Sequence, residues 1–184
     1  MERFIMRNAK RVPRLSDFAL ILAFSGIMIA GCENQEKAME ERNKAVVRYV
    51  HEEIAKGNTA VFNEVLTPNY IRHCQAMPPE LQELHGTEQF KGFIKEFLEA
   101  VPDCRDTIDL IIAEGDKVAY ITTMTGTQTG PMEPYAATGK KFSLVNIIIH
   151  RFENGKIAET WISWDNVAFL TQLGLFPPSG EGGQ

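Results

Sequence analysis

Long apolar segments are scarce in this chain. The run FALILAFSGIMIA, Phe18 to Ala30, covers thirteen residues, well short of the roughly twenty that a membrane-spanning helix needs. Cysteine is scarce too. Cys32, Cys74 and Cys104 are the only three, and no CxxC pair is among them, which argues against a zinc ribbon or a dithiol redox motif. Outside the cytoplasm Cys74 and Cys104 could pair, and the sequence leaves that open. HExxH, a glycine-rich phosphate loop and GxSxG are all missing, so no motif for zinc-protease, nucleotide or nucleophile-elbow chemistry is present. Basic residues are in the minority, 19 Lys/Arg against 24 Asp/Glu, for a net charge of −5. An acidic chain repels phosphate backbones, so nucleic acid is not an expected partner.

The amino terminus is the one basic region. Arg3, Arg7, Lys10, Arg11 and Arg14 precede the apolar run, which ends in Ile29-Ala-Gly-Cys32. Basic, apolar and small-residue zones in that order read as a secretory signal, and IAGC resembles a bacterial lipobox. The resemblance implies that residues 1–31 are a signal peptide and that Cys32 is acylated. It also implies a place in the bacterial cell envelope outside the cytoplasm, held to the membrane by lipid. Glu33 rather than Asp after the cysteine favours the outer membrane if the cell is Gram-negative. Several acyl chains suffice for stable anchoring. Five of the basic and two of the acidic residues lie in 1–31, so the remainder carries −8.

Residues 32–41 are expected as a polar tether, and 42–176 as one domain. Val46, Val47, Val50 and Ile54 form a helical stripe that Gly57-Asn58 ends. Thr59 is the expected cap of a short helix to Leu66, and Asn69 to Cys74 a short extended piece. Thr87 is the expected cap of a third helix carrying Phe90, Phe93, Ile94, Phe97 and Leu98. Beyond Pro102 the period becomes two. RDTIDLIIAEG, DKVAYITTMTGTQTG, GKKFSLVNIIIHRF and IAETWISWD read as four antiparallel strands, the last two joined at Asn154-Gly155. NVAFLTQLG closes the domain, and 177–184 is a loose tail. Helices followed by a meander predict an α+β fold with helices on one face of a curved sheet.

GDKV, GTQTG, TGKK and RFENGKIAETWISWD occur in order between Glu114 and Asp165, with NYIRHC before them and LTQLG after. In these strings the chain resembles the SnoaL-like polyketide cyclases of the nuclear transport factor 2-like superfamily. The resemblance implies a cone-shaped curved antiparallel sheet against three N-terminal helices, with a pocket inside. It implies an intramolecular aldol ring closure that needs no metal and no cofactor, and an acid/base aspartate at the end of the last strand, here Asp165. It places His73 in the pocket, and many relatives carry His where Gln128 stands. Members often dimerise through the outer sheet face, so a homodimer is among the expectations.

Two-residue turn geometry at Asn154-Gly155 makes opposed residue numbers sum to about 309. Trp161, Asp165, Asn146 and His150 then share one face, an acid, an imidazole, an amide and an indole on a pocket floor. Tyr120 joins them from its own strand. The expected catalytic set is Asp165, His73 and His150, with Trp161, Tyr120, Asn146 and Gln128 binding an apolar small molecule. Plainer roles compete. Asp165 can cap the closing helix, His150 can be an exposed hairpin residue and Trp161 can be core. The expected function is acid/base cyclisation or isomerisation. A ligand-binding lipoprotein without chemistry and a dimeric interaction module are the alternatives.

Overall fold

The computed structural model describes residues 15–176, and of 15–32 only the backbone. The basic amino terminus, the Cys32 side chain and the 177–184 tail lie outside the described residues. The chain divides into two units, Met1–Ala38 and Met39–Gln184. Among the described residues no helix is long and apolar enough to cross a membrane.

Helix α1 runs Leu15–Ala55, so the expected tether is helical. ENQEKAMEERNKA contains no glycine or proline, and Glu33–Lys37 and Glu41–Lys44 pair at helical spacing. A five-residue α2 (Val61–Val65) follows, with Ala60 rather than Thr59 at its cap and no side-chain cap bond. Strand β1 spans Leu66–His73, longer than expected because the chain turns directly from α2 into an extended path. A short β2 (Glu83–His85) follows and pairs antiparallel with β1. Helix α3 covers Thr87–Ala100. Gly86 at φ 78° caps it, and Thr87 instead donates its hydroxyl to the Thr67 carbonyl.

Strands β3 (Arg105–Glu114), β4 (Lys117–Thr127), β5 (Lys141–Glu153) and β6 (Lys156–Trp164) make the expected meander, and α4 (Asn166–Leu173) closes the fold. The sheet is curved and unclosed, in the order β2-β1-β6-β5-β4-β3. It is antiparallel except where β1 runs parallel to β6. That pairing completes a six-stranded sheet where four strands were expected.

Strand β5 alternates strictly. Phe142, Leu144, Asn146, Ile148, His150 and Phe152 point in, while Val145, Ile147 and Ile149 point out. Ile148 and Phe152 pack with Val47, Val61, Phe62, Tyr70 and Ile157, while Phe142 and Leu144 pack in a second cluster with Ala100, Val101 and Leu173. Each such aliphatic or aromatic side chain contributes about 1.5–3 kcal/mol on burial.

Candidate functional site

The β5–β6 hairpin decides what faces the interior. Asn154 and Gly155, at φ 51° and 77°, form the tight turn. Glu153↔Lys156 and Phe152↔Ile157 keep the expected sum. A bulge at Ala158 then inserts one residue, and the register continues as Arg151↔Glu159, His150↔Thr160, Ile149↔Trp161 and Asn146↔Trp164. One extra residue reverses every side chain beyond it. Thr160 and Ile162 therefore face in with Asn146 and His150. Trp161 faces out.

Parallel pairing carries the same choice into β1. Arg72 pairs with Thr160 and His73 with Trp161, so Arg72 points in and His73 out. His73 stacks on Trp161, ring centroids 5.5 Å apart, and holds Glu83 at 3.2 Å and Glu159 at 2.9 Å. Neither His73 nor Trp161 lines the cavity. Asp165 does not line it either. It is exposed, and its Oδ1 accepts the Ala168 amide at 2.9 Å as the cap of α4. Gln128 is buried but serves the loop between β4 and β5. Its amide donates to the Gly130 and Ala136 carbonyls, and its oxygen accepts the Thr138 hydroxyl at 2.6 Å. Cys74 and Cys104 are free thiols.

Between α1, α3 and the concave sheet face lies a cavity of about 230 Å³. Phe90, Phe93, Ile94 and Phe97 of α3 supply much of its apolar wall. Three expected residues line it: Tyr120, Asn146 and His150. With them are polar residues that the sequence reading did not single out, namely His51, Tyr70, Arg72, Asp106 and Thr160. His51 falls one turn after Val47 on the α1 stripe, which is the signal that could have found it. Asp106 is on β3 and alternates with Cys104 and Ile108. A bulge at Asp109 reverses the phase beyond it, leaving Leu110 and Ile112 outside.

The polar groups form two sets. In one, the Tyr120 hydroxyl meets His150 Nε2 at 2.7 Å, His150 Nδ1 meets Thr160 Oγ1 at 2.8 Å, and the Tyr70 hydroxyl donates to that same oxygen at 2.8 Å. Burial drives the His150 pKa down to about 3, helped by the nearby His51, so this imidazole is neutral. Burial also raises Tyr120 far above the usual phenol range, keeping it a hydroxyl donor. In the other set, His51 Nδ1 lies 3.6 Å from Asp106 Oδ2 and edge-on to the Tyr120 ring. Burial raises the Asp106 carboxyl, against the opposing pulls of the Thr122 hydroxyl and His51. Burial lowers His51, with Asp106 opposing. The Asn146 amide donates to Thr122 at 3.2 Å, placing Asn146 beside this pair. No cluster of three or more His, Cys, Asp or Glu suited to a metal ion occurs among the described residues.

The family model described as SnoaL-like polyketide cyclase matches residues 44–173. The chain belongs to the SnoaL-like polyketide cyclase family. IdmH of Streptomyces antibioticus, a proposed polyketide cyclase, is 25% identical with a TM-score of 0.61, over 72% of this chain and 98% of that one. TsrD of Streptomyces laurentii is 26% identical with a TM-score of 0.64, over 73% and 96%. A proposed SnoaL-like polyketide cyclase of Jannaschia sp. CCS1 shares the fold at 22% identity and a TM-score of 0.68, over 76% and 96%. No curated protein matches the chain.

Proposed function

We propose that this SnoaL-like protein is a small-molecule acid/base enzyme, and that proton transfer takes place at Asp106 inside the cavity rather than at Asp165. One observation carries the reading. Asp106 lines a mainly apolar cavity with one carboxylate oxygen toward His51 and the other, Oδ1, buried without a partner. A carboxylate tuned upward by burial is a stronger base near neutral pH. The reaction class is cyclisation or isomerisation of a carbonyl compound. Asp106 removes a proton from carbon next to a carbonyl, the electron pair moves to the carbonyl oxygen, and a hydroxyl donor meets the oxyanion. Tyr120 is that donor. With Thr160 donating to His150 Nδ1, His150 Nε2–H donates to the Tyr120 oxygen, and the phenol proton is left for the ligand. His150 and Thr160 thus position Tyr120.

Deuterium exchange into ethyl benzoylacetate, followed by proton NMR, tests this. General-base catalysis supports an acceleration of about 10²-fold or more over buffer, with a rising pH limb above the ordinary aspartate value of about 3.9. No acceleration, or one independent of pH, would count against it.

Two further features belong to the same reading. The IAGC string supports acylation of Cys32 and a lipid-anchored location in the cell envelope. The outward face of β3 to β6 supports a homodimer, because Leu110, Ile112, Val145 and Ile147 are each more than half exposed.

A further inference from the structure

Three buried side-chain polar atoms lack a hydrogen-bond partner among the described residues: Arg72 Nη1, Asp106 Oδ1 and Asn146 Oδ1. All three residues line the one cavity. A buried polar atom without a partner is costly and rare, so three in one wall point to an occupant that completes them.

Arg72 defines the charge of that occupant. It is only 3% exposed, and no carboxylate lies within ion-pair distance of it among the described residues. Phe93 offers its ring face at 4.8 Å and Trp164 at 6.0 Å. Aromatic faces offset part of the desolvation of a cation and the Cys74 thiol lies beside the guanidinium, but Nη1 is left without a partner. The guanidinium is a planar fork that fits a carboxylate. Among the described residues the one carboxyl lining the cavity, Asp106, faces His51 at 3.6 Å rather than Arg72, which leaves the Arg72 charge without an ion-pair partner. A single negative charge neutralises it, whereas a dianion would leave a charge buried.

We propose that the ligand of this cavity is an apolar monocarboxylate, its carboxylate seated on Arg72 and its body along Phe90, Phe97 and Ile162. A hydroxyl or enol hydrogen of the same molecule is placed to reach Asn146 or Asp106. The inference rests on the proposed function only in taking this cavity as the working site.

Isothermal titration of the purified full-length chain with 2-naphthoate and with neutral, near-isosteric 2-naphthamide tests it. A charge-assisted bidentate contact predicts naphthoate binding about 10-fold tighter or more. In Arg72→Met the two affinities converge to within about 2-fold, through loss of naphthoate binding. That variant removes an unpaired charge at similar volume, so its melting temperature should match or exceed the native one. If it does not fold, Arg72→Lys replaces it, since a point charge without the fork should cut the preference at least about 3-fold. Equal native affinities, no binding of either probe at millimolar concentration, or an unchanged preference in the Arg72 variant would overturn the proposal. Asp106→Asn separates the two readings: it removes the base and leaves the carboxylate preference in place.

Discussion

His150 shows how burial of a single residue becomes a measurable property. Its folded pKa of about 3 lies below the ordinary histidine value of about 6.5. The neutral form is therefore the folded form, and its stability contribution is complete above pH 6.5 and lost as pH falls toward 3. Linkage sets the loss at up to about 1.4 kcal/mol per pH unit in that window. Urea unfolding at pH 7, 6 and 5 should show a shallower slope for His150→Gln than for the native chain. An identical slope would mean that His150 is not buried and neutral. His51 contributes with the same sign. Asp106 has the opposite sign, because its raised pKa favours the fold at low pH and the contribution fades as pH rises through the folded value. The inward places of His150, Asn146 and Tyr120 were legible because strand alternation alone fixes them. Arg72 and Asp106 were not legible. Arg72 faces in because β1 pairs parallel with β6, a long-range contact that no local pattern encodes.

Elements carry the larger corrections. The Asn-Gly turn announced the β5–β6 hairpin, and the first two residue pairs obey it. The Ala158 bulge has no local signature in GKIAETW, and its single extra residue moves Trp161 from the pocket to the outer face. His73 goes with it, since its parallel pairing partner is Trp161. The closing helix makes the clearest prediction at this scale. The Asp165 side chain accepts the Ala168 amide, and Asn caps a helix about as well as Asp. Asp165→Asn should hold stability within about 0.5 kcal/mol, while Asp165→Ala loses about 1 kcal/mol, within 0.5–2. Thermal or urea melts of the two variants check this. Equal losses in both would show that the charge, and not the cap bond, is what α4 uses.

The curved sheet presents two faces, each with its own proposed occupant. Inside is the cavity. Outside, cross-strand rows run Leu110–Ile121–Ile147 and Ile112–Ala119–Ile149–Trp161, an aliphatic surface of the sort monomers seldom leave open. The outer face should self-associate. Sedimentation at high micromolar concentration should give a dimer that Ile147→Lys converts to a folded monomer, whose melting temperature no longer depends on protein concentration; a native monomer would exclude the homodimer. The proposed anchor is tested at the same scale. Cys32→Ser should abolish incorporation of labelled palmitate in bacterial cells, and unchanged labelling would exclude acylation at Cys32. The α+β class, the meander and the helices were legible because their periodicities are local. The placement of the acid was not, because the Ala158 bulge takes the end of β6, and Asp165 with it, out of the expected register, and the Asp109 bulge breaks the alternation of β3 that would have marked Asp106 as inward. The most direct test of that placement is the ethyl benzoylacetate exchange rate of Asp106→Asn beside Asp165→Asn. Asp106→Asn should fall to the buffer rate, a loss of about 10²-fold or more, and Asp165→Asn should stay near the native rate. Loss in Asp165→Asn with exchange retained in Asp106→Asn would contradict the account and return the base to the end of the last strand.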